Sequence, residues 1–111
     1  MKEKLRGLIR RANDYIYTVD DKRKRDALFC HVTDKLRSAI GYVDMNSIYG
    51  IDTAVRTLYE VTSLLNFAAW VDVWPDPLWR EMSCDLTEII DELTWKRGII
   101  VGREYEEGET T

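Results

Sequence analysis

The sequence has little cysteine, proline, glycine or histidine. Its 111 residues include two Cys, two Pro, six Gly and one His. So few prolines and glycines, without extended alternation of β-branched residues, favour a few long helices over many short strands. Two cysteines are too few for the disulfide framework of a small secreted protein. We therefore expect a cytoplasmic protein.

A long apolar run is also missing. The longest strongly apolar stretch, residues 64–73, contains Asn66 and Asp72, and a membrane-spanning helix needs roughly 20 apolar residues. The chain does not open with a basic segment followed by an apolar one, as a secretory leader would. These absences predict a protein without a membrane partner.

The composition that remains is that of one globular domain. The chain is 45% hydrophobic and 32% charged, and its length is enough for one core but not for two. We place the domain at residues 1–101. Residues 102–111 carry several glutamates among Gly and Thr, which predicts a short, flexible, acidic C-terminal tail.

Four segments repeat apolar residues at intervals of three and four, which is typical of amphipathic helices. The links between these four segments are short, and helices joined by short links pack as an up-and-down bundle. The predicted fold is therefore an all-α, small four-helix bundle. The four apolar stripes are Leu5, Leu8, Ile9, Ala12, Ile16 and Val19; Leu28, Val32, Leu36, Ala39 and Val43; Ile48, Ile51, Val55, Leu58, Val61 and Leu65; and Met82, Leu86, Ile89, Ile90 and Leu93.

Local signals predict where these helices begin and end. The second helix is expected to begin near Val19 or Asp20, where Thr18 and Asp21, three residues apart, resemble a weak capping box. The third is expected to run to about Val71, because the prolines of residues 75–77 then interrupt it. Asp76 is predicted to cap the fourth helix, and the Lys-Arg-Gly segment 96–98 to end it.

Side chains for catalysis or metal binding are scarce. His31 has Asp34 one turn away, but the adjacent Cys30 points about 100° away from it on a helix. Zinc usually takes four ligands at paired short spacings, and His31, Cys30 and Cys84 do not provide them. We predict no enzyme, no cofactor and no metal, and read both cysteines as small residues at core edges. An enzyme built on His31 and Asp34 is kept as an alternative.

The charges are unevenly distributed between the two halves of the chain. Residues 1–56 hold 12 Lys or Arg and 8 Asp or Glu, whereas residues 57–111 hold 4 and 12. The two halves can neutralise each other within the fold or present their charge to a partner.

The first candidate surface combines the aromatic corner with the acidic face of the fourth helix: Trp70, Trp74, Trp79, Glu81, Asp85, Glu88, Asp91 and Glu92. The aromatic corner consists of four rings, Phe67, Trp70, Trp74 and Trp79. It is open to two interpretations, a core plug or an interface.

The second candidate surface is a basic patch at the N-terminal end. Several cationic side chains there could contact phosphates, although acidic residues flank them and the pI is near 5.0. This patch would support a nucleic-acid-binding regulator of transcription or replication. Its residues are Arg10, Arg11, Lys22, Arg23, Lys24 and Arg25.

A compact, acidic, aromatic-rich chain without catalytic residues resembles in type the small accessory proteins of phages and mobile elements, anti-CRISPR inhibitors among them. The resemblance implies a non-enzymatic protein-binding module. Such a module would inhibit a host nucleic-acid-handling or defence complex by occluding a basic surface. A homodimer is a further possibility, because a bundle whose halves differ in charge can pair with itself.

Overall fold

The computed structural model describes the backbone of residues 1–110 and the side chains of residues 1–104. Every element in this described part is helical, with no strand. The elements are α1 (Lys2–Ile16), α2 (Lys22–Leu28), a π-helical turn (Phe29–Thr33), α3 (Asp34–Asp44), α4 (Ile48–Trp70) and α5 (Asp76–Thr110). No helix in this part of the chain has both the length and the apolar composition needed to cross a membrane.

These elements form four rods, because α2, the π-helical turn and α3 follow one another without a break. In cross-section, α1 packs against α3 and α5, and α4 packs against α3 and α5 from the other side. The ring closes into an elongated bundle of 60 × 21 × 21 Å. The predicted all-α four-helix bundle is confirmed.

The core lies where the apolar stripes predict it. Most stripe positions are buried. Four of them are half-buried: Ile9, Val19, Ile48 and Val55. One polar side chain, Thr33, is fully buried in this core. Its hydroxyl donates to Asn13 Oδ1 at 2.9 Å, which satisfies the hydroxyl and ties the π-helical turn to α1.

The predicted start of the second helix is wrong by two or three residues. The helix begins at Lys22, and the Asp21 carboxylate accepts hydrogen bonds from the backbone N–H groups of Arg23 and Lys24. Thr18, which was expected to act near this start, donates its hydroxyl back to the Tyr15 carbonyl instead. An ionised Asp is the stronger cap, because it also faces the positive end of the helix dipole.

The start of α4 is fixed by a cap and by a close approach. The Ser47 hydroxyl accepts a hydrogen bond from Gly50 N at 3.0 Å. A Cβ at Gly50 would lie 2.9 Å from the Met45 Cβ and closer still to the Tyr42 carbonyl oxygen. Glycine is therefore needed here for space, since it lets the beginning of α4 contact the end of α3.

The end of α4 lies one residue from its predicted position. Asp72 adopts φ 61°, while Val73 N donates to Ala68 O at 2.8 Å and Asp72 N to Ala69 O at 3.2 Å. This is a Schellman motif formed with Asp in place of the usual Gly. It reverses the chain before the prolines and directs Trp74 into the bundle.

The predicted stop of the fourth helix at residues 96–98 is wrong, because α5 continues to Thr110. Gly98 does not adopt the positive φ of a helix-ending glycine. Ile100, beyond the expected stop, packs against the core, so burial favours continuing the helix. The predicted tail begins inside α5, and the side chains of residues 105–111 lie outside the described part.

Candidate protein-binding surface

The aromatic corner divides into a buried part and an exposed part. Trp74 is 2% exposed, and its ring meets the Tyr15 ring edge-to-face at a centroid distance of 4.7 Å. The Tyr15 hydroxyl donates to the Val73 carbonyl at 2.5 Å. Trp79 is half-buried against the same core. Trp74 is thus the core plug of one interpretation, and it is not available to a partner.

The other two rings of the corner face solvent. Trp70 is 80% exposed and Phe67 is 60% exposed, and their ring centroids lie 6.1 Å apart. Both belong to the last turn and a half of α4, before the Schellman motif reverses the chain. Large exposed rings side by side fit the interface interpretation.

These rings continue a stripe along the outward side of α4. The stripe begins at Tyr59, which is 56% exposed, and continues through the exposed Ser63. It then reaches Phe67 and Trp70, so the successive intervals are four, four and three residues. The buried residues of α4 lie about 180° away, because successive residues advance about 100° around a helix. We call Tyr59, Ser63, Phe67 and Trp70, with Arg56, Glu60 and Leu64 at their edges, the aromatic face of α4.

A shallow groove of about 570 Å³ runs along this aromatic face, from Arg56 to Phe67. Glu60 at its edge is held by Lys35 of α3, with Nζ 2.6 Å from Oε2. That hydrogen bond, followed by the positive charge of Lys35, lowers the pKa of Glu60 from its usual 4.5. The groove therefore has a fixed polar edge and an open apolar floor.

The acidic face of α5 is partly neutralised inside the molecule. Asp85 forms an ion pair with Arg11 of α1, and both side chains are about 30% exposed. Glu88 pairs with Lys4 at 3.0 Å. The pKa of Lys4 is raised above 10.5, mainly by this hydrogen bond to Glu88 and next by the negative charge of Glu88. The charge difference between the two halves of the chain is thus used in part to hold α1 against α5.

The other acidic candidates remain at the surface. Glu81, Asp91 and Glu92 are exposed, and within the described residues none of them forms an ion pair. Two of the five predicted acidic contact residues therefore serve the fold, and three are accessible to a partner.

The candidate basic patch is similarly divided. Arg10, Lys22, Arg23 and Lys24 are exposed, and Arg25 is half-buried. Arg11 is turned toward Asp85. Asp21 lies directly before the run and caps α2. The remaining cations therefore lie beside a carboxylate that α2 requires as its cap.

The residues considered for catalysis lie at the surface. His31 and Asp34 are exposed, and the described side chains contain no group of three or more potential metal ligands. Cys30 and Cys84 are free and exposed, so their predicted place at the core edges is wrong. Val32 and Thr33 take the inward positions around Cys30, and Met82 and Leu86 take those around Cys84.

A smaller exposed apolar area lies toward the opposite end of the bundle. Trp95 is 71% exposed and borders a groove of about 400 Å³ with Met1, Ile99 and Ile100. Among the described side chains, one aromatic ring, that of Trp95, lines this groove. The aromatic face of α4 is the larger aromatic surface.

Sequence reasoning identified Phe67 and Trp70 and gave Tyr59 as an extension of either the plug or the interface, but it did not include Ser63 or place these residues on one stripe. The signal was present in the helical pattern, because α4 repeats large rings opposite an aliphatic stripe. A helix that is apolar on both sides is normally buried on both sides. Comparison with protein-family models, curated proteins and solved structures finds no significant match for this chain.

Proposed function

We propose that this protein is a non-enzymatic protein-binding module whose contact surface is the aromatic face of α4. The single observation that supports this proposal is the stripe of exposed rings Tyr59, Phe67 and Trp70 on a helix whose other side forms the core. Soluble monomers rarely expose contiguous apolar patches larger than a few hundred Å², and larger ones mark interaction sites.

The chemistry of the face suits a protein partner. Trp and Tyr rings contribute large contact area at low entropic cost and are enriched among the residues that dominate binding energy. Glu60 lies at the side of the face and Arg56 at its N-terminal end, as in the polar rim of an interface. The face contains no cluster of cations for phosphate contacts, so a protein fits it better than a nucleic acid.

The test is affinity capture from a lysate of the native host with nuclease present, using the tagged wild-type chain and a double variant, Phe67→Ser with Trp70→Ser. The control is Trp95→Ser, which removes an equally exposed ring elsewhere. We expect a stoichiometric protein partner with the wild-type chain and the control, and loss of at least tenfold with the double variant. Equal capture by all three chains would contradict the proposed surface.

A second candidate function is inhibition of a nucleic-acid-handling or defence complex, in the manner of an anti-CRISPR protein. It is supported by the three accessible carboxylates of α5, which could compete with nucleic acid for a basic groove. Replacing Asp91 and Glu92 by Lys removes no member of the Arg11–Asp85 and Lys4–Glu88 pairs. This variant should then lose capture of a basic partner, and retained capture would reject this candidate. Recovery of nuclease-sensitive nucleic acid alone would instead favour the basic patch.

A further inference from the structure

We propose that the aromatic face of α4 binds a second copy of this chain, with two α4 helices packed antiparallel about a two-fold axis at Ser63. This inference rests on the proposed function, since it names the occupant of the same surface. It follows from a property of the face that binding to an unrelated protein does not require. The face is complementary to itself.

The self-complementarity can be read from the spacing. When two identical helices pack antiparallel about a two-fold axis at one residue, positions equally far before and after that residue lie at the same height. With the axis at Ser63, Tyr59 of one copy lies level with Phe67 of the other. Arg56 lies level with Trp70, and Ser63 faces its own counterpart.

Each of these pairings is chemically favourable. Tyr59 and Phe67 form an aromatic pair on either side of the axis. Arg56 reaches the face of Trp70, the ring that attracts cations best. Ser63 is small, so the two helices can approach to the 8–10 Å typical of packed helices where they cross. Register and chemistry therefore agree at three successive layers of the same face.

The charge on the face also favours a second copy. The chain as a whole carries a net charge of −4, so two copies repel each other on average. The aromatic face carries one cation, Arg56, and one anion, Glu60, which cancel. Glu60 is also paired with Lys35 of its own chain, with Nζ 2.6 Å from Oε2, so its charge is balanced without a partner across the axis. The face avoids the repulsion that the net charge would otherwise produce.

The exposed area of the rings fits a weak dimer, whose population rises with protein concentration. A large aromatic side chain buries roughly 150–250 Å². The exposures of Tyr59, Phe67 and Trp70, 56%, 60% and 80%, therefore leave on the order of 400 Å² of ring per copy. A standard interface buries about 800 Å² per partner. The rings supply about half of that area, and Arg56, Ser63 and Leu64 would add to it.

The first experiment is sedimentation velocity on the full chain from about 1 µM to several hundred µM, a range that spans weak and moderate association. The weight-average mass should rise from 13.0 kDa toward twice that value. A chain that stays at 13.0 kDa at every concentration would overturn the homodimer. The proposed function would still stand if the double variant loses a different partner.

Two charge variants then test the register. Tyr59→Lys and Phe67→Glu should each weaken self-association at least tenfold. An equimolar mixture of the two variants should restore it, because the introduced ammonium group of one chain would meet the introduced carboxylate of the other. The second layer of that mixed dimer keeps the native Phe67 against the native Tyr59. Dimers that tolerate both charge variants would overturn the assigned dimer surface, and the capture experiment with the double variant would then decide the proposed function separately.

A disulfide test examines the axis directly. In a chain carrying Cys30→Ser and Cys84→Ser, Ser63→Cys should form a covalent dimer under mild oxidation. The matched control, Ser38→Cys, places a thiol at an exposed serine of α3 and should not. Equal cross-linking of the two chains would overturn the placement of the axis at Ser63.

Discussion

The two sides of α4 are both apolar, yet they differ in composition and in what they contact. The inward side consists of Gly, Ala and aliphatic residues that are fully or nearly fully buried, among them Leu58, Val61 and Leu65. The outward side consists of aromatic rings that are more than half exposed. One helix thus carries a core face and a face that the molecule itself leaves uncovered.

The difference shows which apolar side chains stabilise the monomer. The inward side chains gain from removal of apolar area from water and from close packing. The outward rings gain little of either in the isolated chain, because solvent still reaches them. The outward side is also anchored to its neighbours by ion pairs, Lys35–Glu60 toward α3 at 2.6 Å and Arg97–Asp52 toward α5 at 2.7 Å. These pairs connect α4 to its two neighbours and leave the rings uncovered.

The largest expected effect is the loss of stability on truncating an inward side chain of α4, compared with truncating an outward one. Leu65→Ala removes a fully buried side chain and should lower the free energy of unfolding by about 2–5 kcal/mol. Phe67→Ala, two residues away on the outward side, should change it by no more than about 0.5 kcal/mol. The measurement is urea unfolding followed by circular dichroism at low micromolar concentration.

Protein concentration sharpens this comparison. If the aromatic face pairs with a second copy, the wild-type midpoint should rise with concentration and that of Phe67→Ala should rise less. A loss of several kcal/mol in Phe67→Ala at low concentration would show that the outward rings stabilise the monomer after all, and the distinction between the two sides would fail.

A smaller effect is expected at the start of the inward side. Gly50→Ala introduces a methyl group 2.9 Å from the Met45 Cβ and against the Tyr42 carbonyl oxygen. Backbone must move to admit it, which should cost about 1–3 kcal/mol even though Ala is the better helix former. Gly41→Ala is the matched control, because a Cβ there has no neighbour within 4 Å. Equal or greater stability of Gly50→Ala than of Gly41→Ala would show that the approach of α3 and α4 is not tight.

The fold could be predicted from the sequence because the apolar stripes alone decide which side of each helix is buried. Helix ends were less predictable, since they depend on competing local signals. Asp21 caps α2 although Thr18 offered an earlier cap, and Asp72 adopts the left-handed conformation that glycine usually takes. Gly98 shows the opposite case, because packing of Ile100 keeps a glycine inside a helix.

The candidate surface was predictable only in part. Trp70 and Trp74 lie four residues apart, and a pattern that continued through both would place them on one side of a helix. The Schellman motif between them sends Trp74 into the core and leaves Trp70 outside. In the same way, the acidic stripe gave no indication that Asp85 and Glu88 face α1, because ion pairs between distant segments are set by helix packing.

The smallest expected effect concerns the polar edge of the outward side. Because Lys35 donates to Glu60 and lowers its pKa, the stabilising contribution of the pair is present above pH 4.5 and is lost as the pH falls through the lower, folded-state pKa. The pair is exposed and should also weaken in high salt. A carbon-detected NMR titration of the Glu60 carboxylate should show a midpoint below 4.5 that moves upward in Lys35→Gln. If the midpoint is the same in both proteins, Lys35 does not hold Glu60 in solution, and the edge of the aromatic face is as mobile as any exposed glutamate.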